Sequence, residues 1–86
     1  LLADPDPKSR VMGADSLGLI RCDSAAIDAL TQALSDPTLE VRRAAAKSLG
    51  LQASRAQRAL PALRRATQAD DPQLQTQAQI ALRKIH

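Results

Sequence analysis

The groups able to do chemistry in this 86-residue chain are few. His86 is its single histidine and Cys22 its single cysteine. One of each falls short of any zinc set. Cys22 is a conceivable thiol for redox or chromophore chemistry. It sits in a predicted connection beside Arg21, however, and reads as a plain small residue. Asp4 with Asp6, and Asp70 with Asp71, are close carboxylate pairs. Both lie at turns next to proline, where capping of backbone N–H groups explains them better than acid–base work. GADSLG at 13–18 lacks the glycine spacing of a dinucleotide fingerprint and falls within a helix. The chain therefore reads as a non-enzyme, with no catalytic, metal or cofactor site.

The basic residues are more telling. Arg55, Arg58, Arg64 and Arg65 place four positive charges and no acid on one predicted helix, with Arg58 and Arg65 seven apart on one face. A second group, Arg42, Arg43 and Lys47, follows a different breaker. The net charge is +3 and there is no Phe, Trp or Tyr. Without aromatics there is no platform for stacked bases. A solvated basic face is favoured over a phosphate-tracking one.

The elements that hold these groups are helical. Hydrophobic residues make up 44% of the chain, much of it alanine, as suits a thin stack of closely packed helices. A chain of this length buries only about 60–65% of its unfolded surface. Asp4-Pro5-Asp6-Pro7 opens a helix over about 8–20, weakened by Gly13 and Gly18. Gly13 suits a close contact between helices. Asp23 or Ser24 caps a second helix to about Ser35, with Ala26, Ile27, Leu30 and Leu34 as its buried stripe. Asp36-Pro37 opens a third, with Val41, Ala45, Ser48 and Leu49 inward. Gly50 ends it where a left-handed residue is needed. A fourth covers about 56–69, buries Ala59, Leu60 and Leu63, and either starts near Arg58 or bends at Pro61. After Asp70-Asp71-Pro72 the last helix runs over about 73–85. Leu1 and Leu2 read as the end of an earlier helix, and His86 as a frayed terminus. Connections of two to five residues make neighbouring helices antiparallel.

The chain repeats itself. Shifted back 32 positions, Asp36-Pro37 falls on Asp4-Pro5, Arg42 on Arg10, Ala46 on Ala14, and Ser48-Leu49-Gly50 on Ser16-Leu17-Gly18. Shifted forward 33, Val41 falls on Leu74, Ala45 on Ala78 and Leu49 on Leu82. AAIDAL at 25–30 lies on RALPAL at 58–63. A period of 32–33 residues carrying two helices is the signature of a solenoid.

These residues resemble a HEAT-repeat array, of the bacterial kind grouped with the phycobilisome-lyase HEAT-like and armadillo-type repeats. Asp36-Pro37, Val41-Arg42, Ala45-Ala46, Leu49-Gly50 and Ala59-Leu60-Pro61-Ala62-Leu63 carry the likeness, which covers nearly the whole chain. It implies an all-α, right-handed α-solenoid of antiparallel helix pairs, with five helices in about two and a half repeats. The single domain 1–86 then divides into a partial repeat 1–20 and repeats 24–50 and 56–86, and is a fragment of a longer protein. The resemblance further implies a ladder between repeats made by a turn Asp and a helix Arg six residues later, here Asp4 with Arg10 and Asp36 with Arg42. Gln75 or Gln77 stands where the third Arg would be, so the ladder should end there.

The resemblance also puts the second helix of each pair on the concave side. That face would present Val11, Asp15, Arg43, Lys47, Thr76 and Ile80 to a partner protein, unless Val11 and Ile80 belong to the core. The expected role is a non-catalytic scaffold for protein–protein interaction. Nucleic-acid binding through Arg55, Arg58, Arg64 and Arg65 is the first alternative. An accessory role in a bilin lyase-type enzyme is the second. Further repeats of the parent chain are expected neighbours. No apolar run reaches the roughly 18 residues of a membrane span. The single cysteine favours a reducing compartment, the cytoplasm.

Overall fold

The computed structural model describes residues 4–85, so the readings made for Leu1, Leu2 and His86 lie outside the described residues. Among the described residues there are five α-helices and no strand: α1 (Pro7–Gly18), α2 (Ser24–Ala33), α3 (Leu39–Leu51), α4 (Leu60–Ala66) and α5 (Pro72–Lys84). A 3₁₀ segment, Ala53–Ala59, precedes α4.

Local chemistry sets most of the starts. The carboxylates of Asp6, Asp23 and Asp71 accept the N–H groups of Lys8, Ala26 and Leu74, and Pro7 and Pro72 occupy the first helical turn, where no amide partner is needed. α3 differs. Its N-cap is Thr38, with no side-chain cap bond, and Pro37 stays outside the helix. Asp36 instead folds its carboxylate onto the Thr38 N–H at 2.8 Å. Pro61 sits in the first turn of α4, so the helix starts late rather than bending at the proline. Ahead of it the chain is tighter and broken at Ala56 (φ −99°, ψ 20°).

The helices stack in two layers within a body of 32 × 30 × 17 Å. α1, α3 and α5 lie side by side as the second-helix layer, with α3 in the middle. α2, the 3₁₀ segment and α4 form the layer behind. Ile27, Leu30, Val41, Ala45, Leu49, Ala59, Leu63, Ala78 and Ala81 fill the space between, all sealed from solvent. Alanine at so many core positions lets helix backbones approach closely. Volume added there is felt as strain.

Two glycines have a different role from the one their sequence positions suggest. Gly50 lies inside α3 and no glycine has a positive φ. A Cβ at Gly50 would come within 3.3 Å of Ala81 on α5, and one at Gly18 within 2.5 Å of the Ser48 Oγ on α3. Gly18 and Gly50 thus let successive second helices approach closely. The left-handed residue that follows α3 is Ala53 (φ 52°), three positions on.

Candidate binding surface

α3 is held by α1 on one side, α5 on the other and the first-helix layer behind. One stripe remains for solvent: Glu40 and Lys47 are exposed, and Arg43 between them is half-buried. The corresponding residues of α1 and α5 continue it. Lys8, Asp15, Gln73 and Thr76 are exposed, while Val11 and Ile80 are half-buried. Val11 packs against the edge of the core while lining the surface.

The stripe contains a groove of about 500 Å³ between the N-terminal halves of α1 and α3. Pro7, Val11 and Met12 give it apolar walls, and Lys8, Thr38 and Glu40 complete its edge. Met12 is 68% exposed. Sequence reading picked out Val11 and missed Met12, Lys8 and Glu40. The signal was there in the register, since Lys8, Glu40 and Gln73 stand at one repeat position.

Arg43 is committed elsewhere. Its Nε and the terminal NH2 nitrogen donate to both carboxylate oxygens of Asp71 at 2.8 and 2.6 Å, tying the second repeat to the third. Arg10 does the same between the first and second repeats, reaching Asp36 at 2.9 and 3.3 Å and the Thr38 hydroxyl at 3.2 Å. These paired forks are the rungs of the ladder. Arg42, expected as a rung, instead donates to the backbone carbonyl of Asp36 at 2.5 Å. Arg10 likewise reaches the carbonyl of Asp4, not its carboxylate, at 2.8 Å. Gln75 donates to the carbonyl of Ala69. All three repeats therefore share a clasp from the second helix to a carbonyl six residues earlier, and Gln75 serves it as well as arginine.

The charges follow from these contacts. The hydrogen-bonded Arg43 guanidinium, outweighing the effect of burial, holds the Asp71 carboxyl at about 2. At Asp36 burial pushes the pKa up, but the Thr38 N–H and the Arg10 and Arg42 guanidinium groups bring it below the ordinary carboxylate value. Cys22 goes the other way: burial, with Asp23 beside it, raises the thiol. Its Sγ lies 3.2 Å from the Leu17 carbonyl oxygen. A neutral, enclosed thiol is not a nucleophile.

The four basic residues are divided between two elements. Arg55 and Arg58 lie on the 3₁₀ segment, and Arg64 and Arg65 on α4. The seven-residue spacing of Arg58 and Arg65 assumed one continuous α-helix, which the break at Ala56 and the start at Leu60 replace. Arg58 is paired with Asp28 of α2 at 2.9 Å, both half-exposed.

A further residue went unread in the sequence. Gln52, 1% exposed, donates to the carbonyls of Leu17 and Ile20 at 3.2 and 2.8 Å and accepts the Cys22 N–H at 3.0 Å. It pins the end of α1 to the end of α3. Among the described residues no group of three or more His, Cys, Asp or Glu is placed to hold a metal ion. No helix there is long and apolar enough to cross a membrane.

Stacked helix pairs, glycine contacts and Arg–Asp rungs recur from one repeat to the next, and a family profile for HEAT repeats matches residues 1–83. The chain belongs to the HEAT-repeat family. No curated protein matches it closely enough to add a relative. HEAT repeats are generally protein-interaction scaffolds and generally non-catalytic. In this HEAT array Arg10 with Asp36 and Arg43 with Asp71 tie successive repeats together, while Arg42 bonds within its own repeat.

Proposed function

We propose that this HEAT array binds another protein, without catalysis, through the outer face of its second helices. The groove of Pro7, Val11 and Met12 carries this reading. It offers an apolar centre beside Lys8 and Glu40, two opposite charges free of ion pairs among the described residues. An apolar centre with a polar rim is the anatomy of a protein interface. Asp15, Lys47, Thr76 and Ile80 extend the surface along the stack. Arg43 contributes through its bond to Asp71 rather than as a free cation.

The nucleic-acid alternative draws on Arg64 and Arg65, exposed on α4 with no aromatic side chain near for stacking. The bilin-lyase alternative, with the phycobilisome-lyase subgrouping, rests on the sequence resemblance alone.

The test is selection of binding peptides from a displayed library, followed by affinity measurement. Met12→Asp is expected to weaken the selected binders at least about tenfold, and Arg64→Glu with Arg65→Glu to leave them unchanged. Binding that resists Met12→Asp, depends on the two arginines and falls steeply with salt would instead support the nucleic-acid reading.

A further inference from the structure

The two ends of the stack are not alike. In α3 the stripe Val41, Ala45, Ser48 and Gln52 is sealed, with Ser48 and Gln52 bonded to α1. In α5 the corresponding stripe, Leu74, Ala78, Ala81 and Ile85, is also sealed, with Ala81 against Gly50 of α3. The same positions in α1 are Ser9, Gly13, Ser16 and Ile20. Ser16 is exposed and Ile20 is 57% exposed. Gly13 is buried and Ser9 half-buried, so the open part is the Ser16–Ile20 end, a stacking position of a second helix on which nothing is stacked among the described residues.

The rung acceptors are in place as well. Rungs are received at two positions: by Asp36, two residues before the Thr38 cap, and by Asp71, itself the cap of α5. The third repeat has Ala69 where Asp36 would recur, and donor and acceptor have moved together, from the Arg10 position to Arg43 and from the Asp36 position to Asp71. The first repeat has an acid at both positions, Asp4 and Asp6. Their carboxylates bond the N–H groups of Asp6 and Lys8 and face no cation among the described residues.

We infer that the outer face of α1 receives a further HEAT repeat of the same polypeptide, one whose second helix brings a glycine to Ser16 and an arginine to Asp4 or Asp6. The face continues the α1–α3 and α3–α5 interfaces in register, and the acids match the charge an incoming rung would carry. A second copy stacked head to tail does not fit. On α5 the position of Arg43 is taken by Thr76 and that of Gly50 by Arg83. Such a copy would bring no arginine to the acids and would press a long cation against Ser16, where close approach requires a glycine.

The chain supplies its own probe. Residues 22–68 joined ahead of Asp4, so that Asp4 follows Gln68 in place of Ala69, would set a copy of α3 over α1 with Gly50 opposite Ser16 and Arg43 near Asp6. The extended chain is expected to melt in one transition above that of the parent. Ser16→Arg should split or lower that transition, yet leave the unextended chain unchanged, since Ser16 is exposed there. A thiol at position 20 (Ile20→Cys, with every Cys22 changed to Ser) gives a readout independent of melting. Its labelling should slow by about an order of magnitude or more on extension. A copy that melts separately, with the position-20 thiol as reactive as before, would overturn the inference. So would an unextended chain that sediments as a dimer and reverts to monomer with Ile20→Asp, which would give the face to a second copy.

Discussion

Arg43 grips Asp71 with two hydrogen bonds across one repeat, while Arg42, its neighbour in sequence, reaches back to the carbonyl of its own repeat at Asp36. In the first repeat a single residue, Arg10, makes both kinds of contact. The two functions separate because the next acid has moved. Adjacent helix positions point about 100° apart, so a displaced acceptor calls for a different arginine.

The Arg43–Asp71 rung gives a pH dependence. Asp71 ionises at about 2 in the fold against an ordinary value of 3.8. A depressed folded pKa contributes stability that is complete above the unfolded pKa and is lost as pH falls through the folded one. Asp36 is lowered too and acts in the same direction. Thermal melts should therefore show a stability loss concentrated between about pH 4 and pH 2. Asp71→Asn, which keeps a capping side chain, should make that fall shallower.

Gly18→Ala should cost about 1–3 kcal/mol, because its Cβ would meet the Ser48 Oγ. The hydroxyl cannot easily withdraw, being buried and donating to the Ala14 carbonyl at 2.6 Å. Ser48→Ala alone should cost about 1 kcal/mol. The double variant should be more stable than the sum of the two losses predicts, since removing the hydroxyl makes room for the methyl. Urea titrations of the four chains measure that coupling.

Gln52→Leu keeps the volume and removes the bonds. It leaves the Cys22 N–H without its side-chain acceptor in a buried site, for an expected loss of about 1–3 kcal/mol. Denaturant midpoints check the size. Faster hydrogen exchange at Cys22 than in the parent would place the loss at that junction.

Ala53 invites a stabilising change. A left-handed residue with a Cβ costs about 1–2 kcal/mol, and glycine avoids this while losing about 0.5–1 kcal/mol through the unfolded chain. Ala53→Gly should thus raise stability by up to about 1 kcal/mol, read as a higher urea midpoint at unchanged slope.

Much of this architecture is legible in the sequence because it is local. Asp-Pro breakers and buried stripes at helical spacing depend on residues close together in the chain, and the 32–33 residue period is the recurrence of those local signals. The departures arise where a second element decides. Gly50 carries the same letter whether it ends a helix or lets α5 approach, and only the position of Ala81 distinguishes the two. Arg42 and Arg43 have identical side chains, and the displaced acid of the next repeat sorts them. Ala53 and the 3₁₀ segment have no special residue to announce them. At the surface, register located Val11, while Met12 and Lys8 became visible once α3 closed one side of the groove.

The central claim is that the second-helix face around Val11 and Met12 is the binding surface. Its most direct test is backbone NMR of the chain titrated with a peptide selected against it. Amide shifts should cluster at Lys8, Val11, Met12, Thr38 and Glu40 and leave Arg55 to Arg65 unmoved. Shifts confined to the Arg58–Arg65 side would contradict the account.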